Sequence, residues 1–390
     1  MVREHFPFFE KNPEMVYVDS AATALKPSCV LDAMRSYDEA ISANVHRGVS
    51  SLSQQATTAF EDARTTIAQS LGVDFEEVVF TKNCTEALNL AAHLLSFQLE
   101  KGDEILILRS EHHSSILPWQ ELAHRLDLQL TVVDALGALS ASTLLEASSE
   151  KTKVVVFAHM SNVLGILQPL DELTTLAKEK GWFTVVDGAQ GVVHDLRSVR
   201  AVDCYAFSGH KLYGPTGIGV LTASKELLEA ASPFIIGGGM IHKVAFEQTT
   251  FADLPWKFEA GTPPIAQAIG LARAVQFVLE HKDVLDRRVH ELSEWFSKEL
   301  AAREDVVVLG EGSHQGVFSF FVRGAHSSDI ATLMNASGIQ LREGHHCAQP
   351  LLEKEGISGL VRCSFLAYTT KQELEKVLSA LDKAIRMVKV

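Results

Sequence analysis

Residues 203–219 read Asp-Cys-Tyr-Ala-Phe-Ser-Gly-His-Lys-Leu-Tyr-Gly-Pro-Thr-Gly-Ile-Gly. The apolar run at 204–207 is typical of a buried strand, and the glycine-rich segment that follows is typical of a turn. Lys211 lies in that turn, where the glycines leave little side-chain bulk around it. A lysine in such a cramped and partly dry place loses solvation of its ammonium, which lowers its pKa. Its amine can then form a Schiff base with a carbonyl compound.

The surroundings of Lys211 decide between a surface turn, which is the usual place for a lysine, and a reactive site. Ser208 and His210 flank it with hydrogen-bond donors suited to a phosphate, and Asp187 ends another apolar run at 185–187. A Schiff-base lysine, phosphate donors and a strand-end carboxylate are what pyridoxal 5′-phosphate (PLP) needs, since the carboxylate pairs with the pyridinium nitrogen. The pattern therefore favours a PLP site.

Two segments, Ser-Gly-His-Lys at 208–211 and Val-Asp-Gly-Ala-Gln at 186–190, resemble those of the class V aminotransferase family of fold-type I PLP enzymes. Within that family the chain resembles the cysteine desulfurases, and most of all their cysteine desulfurase/cysteine sulfinate desulfinase branch. The resemblance covers nearly the whole chain. It implies an α/β fold with a mostly parallel seven-stranded sheet in a large domain, a smaller α+β C-terminal domain, a homodimer, and cofactor contacts from Gln190, Ser208 and His210.

Composition excludes several classes of protein. The chain has 390 residues, 46% hydrophobic and 22% charged, which suits a globular protein of two domains. A net charge of −14 without a basic run argues against a nucleic acid or an anionic membrane as partner. The sequence shows neither an apolar leader nor an 18-residue apolar span, so we expect no membrane-spanning segment. The five scattered cysteines contain no C-x-x-C pair, so a reducing cytoplasm is expected.

The order of predicted elements indicates two domains. Strands that alternate with helices of about a dozen residues predict a largely parallel, doubly wound sheet. After residue 264 longer helices, at 265–280, 284–302, 327–337 and 371–387, surround shorter strands. We therefore expect a large PLP-binding domain at 15–264 and a small domain at 265–390, joined by the N-terminal arm 1–14.

Five polar residues each follow a separate predicted strand, and ligands of such sheets gather at the carboxyl ends of the strands. We therefore expect these residues to converge on one site: Thr85, His112, Asn162, Asp187 and Lys211. Thr85 also lies near the start of a helix, where backbone amides favour an anion, although helix capping by Asn83 explains the same pattern equally well.

The resemblance implies further roles. His112 matches a histidine that stacks on the PLP ring and exchanges protons with substrate, and Asn162 matches a donor to the PLP phenolic oxygen or the substrate carboxylate. His46 is implied near the substrate side of the cofactor, although a lone His-Arg pair is most often a surface feature. Thr262 is implied to reach the phosphate of the partner subunit. Zinc binding by His112 and His113 is the rival, but adjacent histidines point apart on a strand and lack a nearby third ligand.

Two departures from the family pattern affect these contacts. Asn83-Cys84 stands where Gly-Thr is usual, so any phosphate contact from residue 84 is expected to come from its backbone amide. Pro264 stands where an asparagine is usual and is expected to stiffen the loop that carries Thr262.

Residues 341–350 read Leu-Arg-Glu-Gly-His-His-Cys-Ala-Gln-Pro, a loop bounded by glycine and proline. A thiol near a cation or a polar histidine has a lowered pKa and is a better nucleophile, which singles out Cys347. The loop resembles the Arg-x-Gly-His-His-Cys-Ala signature of one desulfurase subgroup, and Arg362 matches the arginine that clamps the substrate carboxylate. Four cysteines are expected to be small buried side chains: Cys29, Cys84, Cys204 and Cys363.

The resemblance thus implies a desulfurase that converts L-cysteine to L-alanine and leaves a persulfide on Cys347 for a small sulfur-acceptor protein, for example in iron–sulfur cluster assembly. Cysteine sulfinate and selenocysteine are alternative substrates. One rival is a PLP aminotransferase of the same class, which needs no nucleophilic cysteine. A second is a non-enzymatic iron–sulfur or metal scaffold with His345, His346 and Cys347 as ligands, although consecutive residues chelate one ion poorly.

Overall fold

The computed structural model describes residues 2–196 and 198–389, so the predicted domain limits at 1 and 390 lie outside the described residues. The helices of the described part are α1 Phe8–Lys11, α2 Ser28–Ala40, α3 Ser51–Leu71, α4 Cys84–Leu95, α5 His113–Leu126, α6 Ala141–Ala147, α7 Leu170–Lys180, α8 Lys225–Ala230, α9 Ile265–Ala301, α10 Ser327–Asn335, α11 Gln349–Glu355 and α12 Lys371–Val388. The strands are β1 Val16–Tyr17, β2 Val78–Thr81, β3 Glu104–Leu108, β4 Gln129–Val133, β5 Thr152–Ala158, β6 Phe183–Asp187, β7 Cys204–Ser208, β8 Gly219–Ala223, β9 Ile241–Val244, β10 Thr249–Phe251, β11 Val306–Val308, β12 Val317–Val322, β13 Ile339–Gln340, β14 Arg342–Gly344 and β15 Leu360–Ser364.

The main sheet has seven strands in the order β2-β8-β7-β6-β5-β3-β4. Only β8 runs against its neighbours, so the predicted mostly parallel seven-stranded sheet is confirmed. Both faces of the sheet are covered: on β3, Leu106 and Leu108 join one apolar core, whereas Ile105 and Ile107 join the other. Strands buried on both faces have continuous apolar sequences, which explains the apolar runs that marked them.

The C-terminal part contains a four-stranded antiparallel sheet in the order β11-β12-β15-β14. Its apolar side chains form a core with α12 and the end of α9, in which Phe296, Phe318 and Leu381 are fully buried. The α+β character expected for this part is thus observed. The N-terminal strand β1 pairs in parallel with β13, with Val16 opposite Ile339, so the start of the chain is attached to this small sheet.

Helix α9 differs from the prediction of two helices at 265–280 and 284–302, because it runs unbroken for 37 residues. The polar residues at its centre interrupt the apolar pattern but support a helix, since Lys282 and Asp286 form an ion pair one turn apart at 2.7 Å. Leu271 packs in the core of the large sheet and Leu300 in that of the small sheet, so α9 joins the two. The domain boundary at 264 stays a prediction.

The hairpin of β9 and β10 was not predicted. Its residues are mostly exposed, so they lack the alternation of buried and exposed side chains by which a strand is found in a sequence.

Candidate active site

The predicted convergence of strand ends is confirmed. A cavity of about 290 Å³ lies at the carboxyl edge of the main sheet, and all five expected residues line it: Thr85, His112, Asn162, Asp187 and Lys211. Further predicted residues that line it are Gln190, Ser208, His210, Cys347 and Arg362. The small-sheet part of the chain thus closes a site that the large sheet begins.

Lys211 ends a single 3-10 turn, Gly209–Lys211, directly after β7. The turn is tight because the amides of Leu212 and Gly214 both donate to the carbonyl of Gly209, at 3.0 and 2.9 Å. Although the side chain is partly exposed to the cavity, protein surrounds its amine, and burial lowers the pKa of Lys211 against the opposing attraction of Asp187. A larger share of the amine is therefore uncharged near neutral pH, as a nucleophile requires.

Asp187 is buried at the end of β6. Its Oδ1 accepts hydrogen bonds from the Ala189 amide at 2.9 Å and from the Cys84 thiol at 3.3 Å. The next residue must be glycine, because a Cβ on Gly188 would lie 2.2 Å from the ring of Tyr205. Tight packing therefore fixes where the carboxylate stands.

Hydroxyl groups gather at the end of the cavity near α4 and β7. Thr85 Oγ1 and Ser114 Oγ lie 2.9 Å apart, and Ser208 Oγ accepts from the Cys84 amide at 2.8 Å. The Cys84 amide is thus taken by Ser208, contrary to the expectation that it faces a phosphate. The Asn83 side chain caps α4 by accepting from the Glu86 amide at 3.0 Å, so the capping interpretation is confirmed.

His112 caps the start of α5, where its Nδ1 accepts from the Ser114 amide at 3.1 Å. Since that nitrogen accepts, the neutral ring carries its hydrogen on Nε2. Burial lowers the pKa of His112 to about 4, with Lys211 and Arg362 adding to the effect and Asp187 opposing it. His112 is therefore an uncharged donor at neutral pH.

Arg362, on β15, is buried and lines the cavity. Its Nη1 donates to the Asn162 carbonyl at 3.0 Å, and its Nη2 lies 3.5 Å from Asp19 Oδ1. Its Nε has no hydrogen-bond partner among the described residues. Burial lowers the pKa of Arg362 to about 10, and Asp19 opposes that effect, so the guanidinium stays charged at neutral pH. Asp19 also holds Arg342, at 3.2 Å, which lines the cavity as a second guanidinium.

Cys347 is exposed, and it lies in a strained loop. His346 and Cys347 have φ of 49° and 58°, in the left-handed region that favours glycine. Two residues that follow strands of the large sheet hold the loop: the His113 amide, at the start of α5, donates to the Cys347 carbonyl at 2.8 Å, and Asn162 Nδ2, after β5, donates to the His346 carbonyl at 2.7 Å. His113 Nε2 accepts from the Gln349 amide at 3.2 Å.

His346 supplies no positive charge beside Cys347. Burial lowers the pKa of His346 to about 3, with Arg362 adding to the effect, so the imidazole is neutral. Its Nε2 contacts the Leu360 carbonyl at 3.1 Å, which directs the ring away from solvent. The permanent cations around the thiol are instead Arg342 and Arg362, which line the same cavity.

Comparison with known proteins places this site in a family. The sequence model described as aminotransferase class-V matches residues 16–377. The chain belongs to this family. A probable cysteine desulfurase of Vibrio cholerae is 41% identical over 99% of this chain and 98% of its own length. A cysteine desulfurase of Haloferax volcanii is 39% identical over 95% of this chain and 89% of its own length. Within the family, the chain belongs to the cysteine desulfurases.

Solved structures agree with this assignment. A cysteine desulfurase from Thermococcus onnurineus superposes with a TM-score of 0.93 at 39% identity, covering 100% of this chain and 97% of its own. A cysteine desulfurase from Escherichia coli superposes with a TM-score of 0.90 at 36% identity, covering 99% and 98%. The fold and family that the sequence predicted are therefore confirmed.

Two residues that were predicted to contact substrate or cofactor lie outside the cavity that Lys211 lines. His46 and Thr262 line a separate cavity of about 260 Å³ together with Arg47 and the glycines of two loops. His46 Nε2 contacts Glu61 at 2.6 Å. A single chain therefore does not bring either residue to Lys211, and their predicted contacts with substrate and phosphate stay predictions.

The structure also shows residues that the sequence reading missed. Glu111 is fully buried beside His112, and its Oε1 accepts from the Ala158 amide at 2.8 Å. Burial and the charge of Asp187 raise the pKa of Glu111 to about 8. Its place directly after a strand, before His112, was the available signal. Nothing in the sequence distinguishes Ser114 from the serines that commonly begin helices. Arg342 belongs to the loop signature, and that pattern does not show that its side chain lines the cavity.

The structure also tests the predictions for Gln190 and for the cysteines outside the loop of Cys347. Gln190 lines the cavity, and its Nε2 donates to the Ala21 carbonyl at 2.7 Å, which ties the N-terminal segment to the site. Cys204 and Cys363 are buried as expected, whereas Cys29 is only half-buried.

Among residues 2–196 and 198–389, no cluster of three or more His, Cys, Asp or Glu side chains is placed to hold a metal ion. No helix in that part of the chain is long and apolar enough to cross a membrane.

Proposed function

We propose that this protein is a PLP-dependent cysteine desulfurase that converts L-cysteine to L-alanine and holds the removed sulfur as a persulfide on Cys347. The observation that carries the proposal is that Lys211, Asp187 and Arg362 share one cavity with an exposed thiol. A PLP enzyme without sulfur chemistry would need only the first three.

The residues present fit PLP. Asp187 is a buried carboxylate that takes both of its hydrogen bonds from described residues on Oδ1. The hydroxyls of Ser208, Thr85 and Ser114 form a polar end for a phosphate, close to the start of α4. When bound, PLP supplies a carbonyl carbon for the Lys211 amine and a sink for electrons at the substrate α-carbon.

Arg362 and Asn162 are the residues that would hold the substrate. The charged guanidinium of Arg362 has a buried Nε without a hydrogen-bond partner among the described residues, and such an orphaned donor is costly unless a ligand satisfies it. A carboxylate can accept two parallel hydrogen bonds from a guanidinium. An amino acid anchored there would direct its α-carbon and side chain toward Lys211 and Cys347, which line the same cavity.

Lys211 and His112 would handle protons. The lowered pKa of Lys211 leaves its amine able to accept the α-proton of the substrate near neutral pH. Asp187 would keep a negative charge against the protonated ring nitrogen of PLP. The neutral His112 would present Nε2–H to the reacting groups, since its Nδ1 accepts from Ser114.

Cys347 is the nucleophile of the step that removes sulfur from the substrate. Its thiolate attacks the sulfur of the substrate, a bond forms between the two sulfur atoms, and the bond from that sulfur to the substrate β-carbon breaks. The electron pair of the broken bond stays on carbon, which then takes a proton, so that carbon is reduced and sulfur oxidised without an outside reagent. The exposure of Cys347 would let a small acceptor protein collect the persulfide sulfur in the cytoplasm, where iron–sulfur cluster assembly is one use.

We also propose that two chains form a homodimer. Six large apolar side chains are exposed on the segments around the cavity of His46 and Thr262: Val49, Leu52, Ile235, Ile236, Val244 and Phe246. Exposed apolar surface of this kind marks protein interfaces. A second copy seated there could bring Thr262 and His46 to the neighbouring active site, which a single chain does not do.

The test compares C347S with wild type and with a matched control, C29S, whose sulfur is half-buried on α2 away from the cavity. The assay contains L-cysteine and a reducing thiol but no keto acid. Under these conditions C29S should produce as much alanine and as much sulfide as wild type. C347S should keep the visible absorption band of bound PLP and lose alanine production. Desulfuration of cysteine by C347S would refute the persulfide mechanism, and activity only with an added keto acid would indicate an aminotransferase.

The same assay ranks the substrates. Alanine release by wild type and C347S is measured with cysteine, cysteine sulfinate and selenocysteine. We expect C347S to lose activity on cysteine while it retains activity on the other two, whose leaving groups need no protein thiol. An equal loss on all three would mean that Cys347 acts in a step other than sulfur removal.

A further inference from the structure

Cys84 is buried, as the sequence predicted, but its thiol also contacts a residue of the active site. It is the first residue of α4, 6% exposed, and it lines the cavity of Lys211. Its Sγ lies 3.3 Å from Asp187 Oδ1 and 3.4 Å from the Ala206 carbonyl. The thiol therefore contacts the carboxylate on which the proposed cofactor depends.

The thiol of Cys84 acts as a donor in this contact. Burial, together with the negative charge of Asp187, raises the pKa of Cys84 well above its ordinary value, so the sulfur keeps its hydrogen. The single hydrogen can reach two acceptors, and an ionised carboxylate is a stronger acceptor than a carbonyl. The hydrogen is therefore directed mainly at Asp187.

The second donor to the carboxylate fixes its orientation. The Ala189 amide donates to the same oxygen, Oδ1, at 2.9 Å. Two donors that converge on one oxygen from different segments restrain rotation of the carboxylate group. The other oxygen, Oδ2, is then left to accept from a donor inside the cavity.

We propose that Cys84 is a positioning residue: its thiol, with the Ala189 amide, locks Asp187 Oδ1 and thereby presents Oδ2 to the ring nitrogen of PLP. The inference rests on the proposed function only in taking PLP as the ligand. It concerns cofactor binding and not sulfur chemistry, so Cys84 is assigned no covalent step.

Other charged groups face this contact from the neighbouring strands. Lys211 follows β7 and attracts the Asp187 carboxylate, whereas Glu111 follows β3 and would repel it if ionised. With its pKa raised to about 8 by burial and by Asp187, Glu111 is mostly protonated at pH 7 and adds little negative charge beside Asp187. A thiol at residue 84 adds a hydrogen-bond donor without adding another charge.

The test uses C84S, C84A and a matched control, C204A, which removes a fully buried thiol on β7 that does not line the cavity. PLP is titrated into each apoprotein, and the dissociation constant is measured by quenching of intrinsic fluorescence. Loss of one hydrogen bond should weaken PLP binding by C84A by roughly three- to tenfold. C84S keeps a hydroxyl donor and should stay within about twofold of wild type, as should C204A.

The absorption spectrum of the bound cofactor gives a second measurement. The visible band of C84A should titrate at a different pH from that of wild type, because the partner of the ring nitrogen is less well held, and C84S should restore the wild-type titration. Wild-type affinity and an unchanged titration in C84A would overturn the proposal. So would a C84S protein as defective as C84A, since the sulfur would then only fill space.

These outcomes are distinct from failure of the proposed function. If wild type bound no PLP and showed no band, the proposed function itself would be wrong. If wild type bound PLP and C84A matched it, only the role of Cys84 would be wrong. Should C84A fail to fold, C84S still decides, because the proposal requires its affinity and its band to match wild type.

Discussion

The lysine turn and the cysteine loop face the same cavity but are supported in different ways. Lys211 lies in a turn fixed by its own neighbours, since two nearby amides converge on the Gly209 carbonyl. Cys347 lies in an exposed loop with two residues at positive φ, and its main supports, His113 and Asn162, come from distant parts of the sequence. The cofactor end is thus built locally, and the nucleophile end depends on tertiary contacts.

This difference explains why the sequence predicted the geometry of the lysine turn, whereas it identified Cys347 but not the contacts that hold its loop. A strand, a glycine-rich turn and a lysine are adjacent residues, so their pattern alone predicted the geometry around Lys211. The supports of Cys347 lie more than 180 residues away, and nothing in a local pattern links them to it.

The largest effect on activity is expected from K211A, which removes the amine of the lysine turn. Activity on cysteine should fall by at least roughly 10²–10⁴-fold, the usual contribution of a general acid–base group. Alanine production measured with excess PLP checks this. The control is K26A, which removes another lysine whose pKa burial lowers but which does not line the cavity.

The same variant tests whether the two halves are independent. The rate of amide hydrogen exchange at residues 341–350 in apo K211A should equal that in the wild-type apoprotein, because the loop is held by His113 and Asn162 and not by the lysine turn. A large change in that rate would show that the lysine turn and the cysteine loop depend on each other.

Much of the fold and part of the site follow from the sequence. The buried strand β7 was predicted within a residue of its bounds, because a continuous apolar run at 204–207 marks it. The continuity of α9 was missed, since its pattern changes where it passes from one core to the other. The thiol contact of Cys84 with Asp187 was missed because it joins residues 103 positions apart, and the cysteine itself has the composition of an ordinary core residue.

Buried neutral histidines lie both beside the main sheet and in the cysteine loop, and their lowered pKa values predict that the protein loses stability in acid. Burial lowers the pKa of His159, beside the sheet, to about 4, and that of His346, in the loop, to about 3. Both values lie below the ordinary pKa of about 6.5 in the unfolded chain. The unfolded state therefore binds more protons below pH 6.5, and stability that is complete above this pH is lost as the pH falls toward the folded-state values.

We expect a loss of up to about 2 kcal/mol in the free energy of unfolding for His159 between pH 7 and pH 5. Urea titrations at both pH values check this with H159Q, which keeps a polar contact for the Tyr205 hydroxyl and should show a smaller pH dependence. The control, H290Q, alters an exposed histidine on α9 and should behave as wild type. An unchanged pH dependence in H159Q would mean that His159 can be protonated in the folded state.

The smallest effect is expected from H113A, which addresses the support of the cysteine loop directly. The substitution removes the Nε2 that accepts from the Gln349 amide but leaves the backbone amide that donates to the Cys347 carbonyl. Loss of one such hydrogen bond should lower the rate of alanine production by about three- to tenfold. The affinity for PLP should not change, because the lysine turn has its own supports.

The matched control is H124A, which removes an exposed histidine from the last turn of the same helix, α5. It should match wild type in both rate and PLP affinity. A loss of PLP affinity in H113A that equals its loss of rate would mean that α5 supports both ends of the cavity together. An unchanged rate would mean that the His113 backbone amide and Asn162 hold the loop without help from the His113 ring.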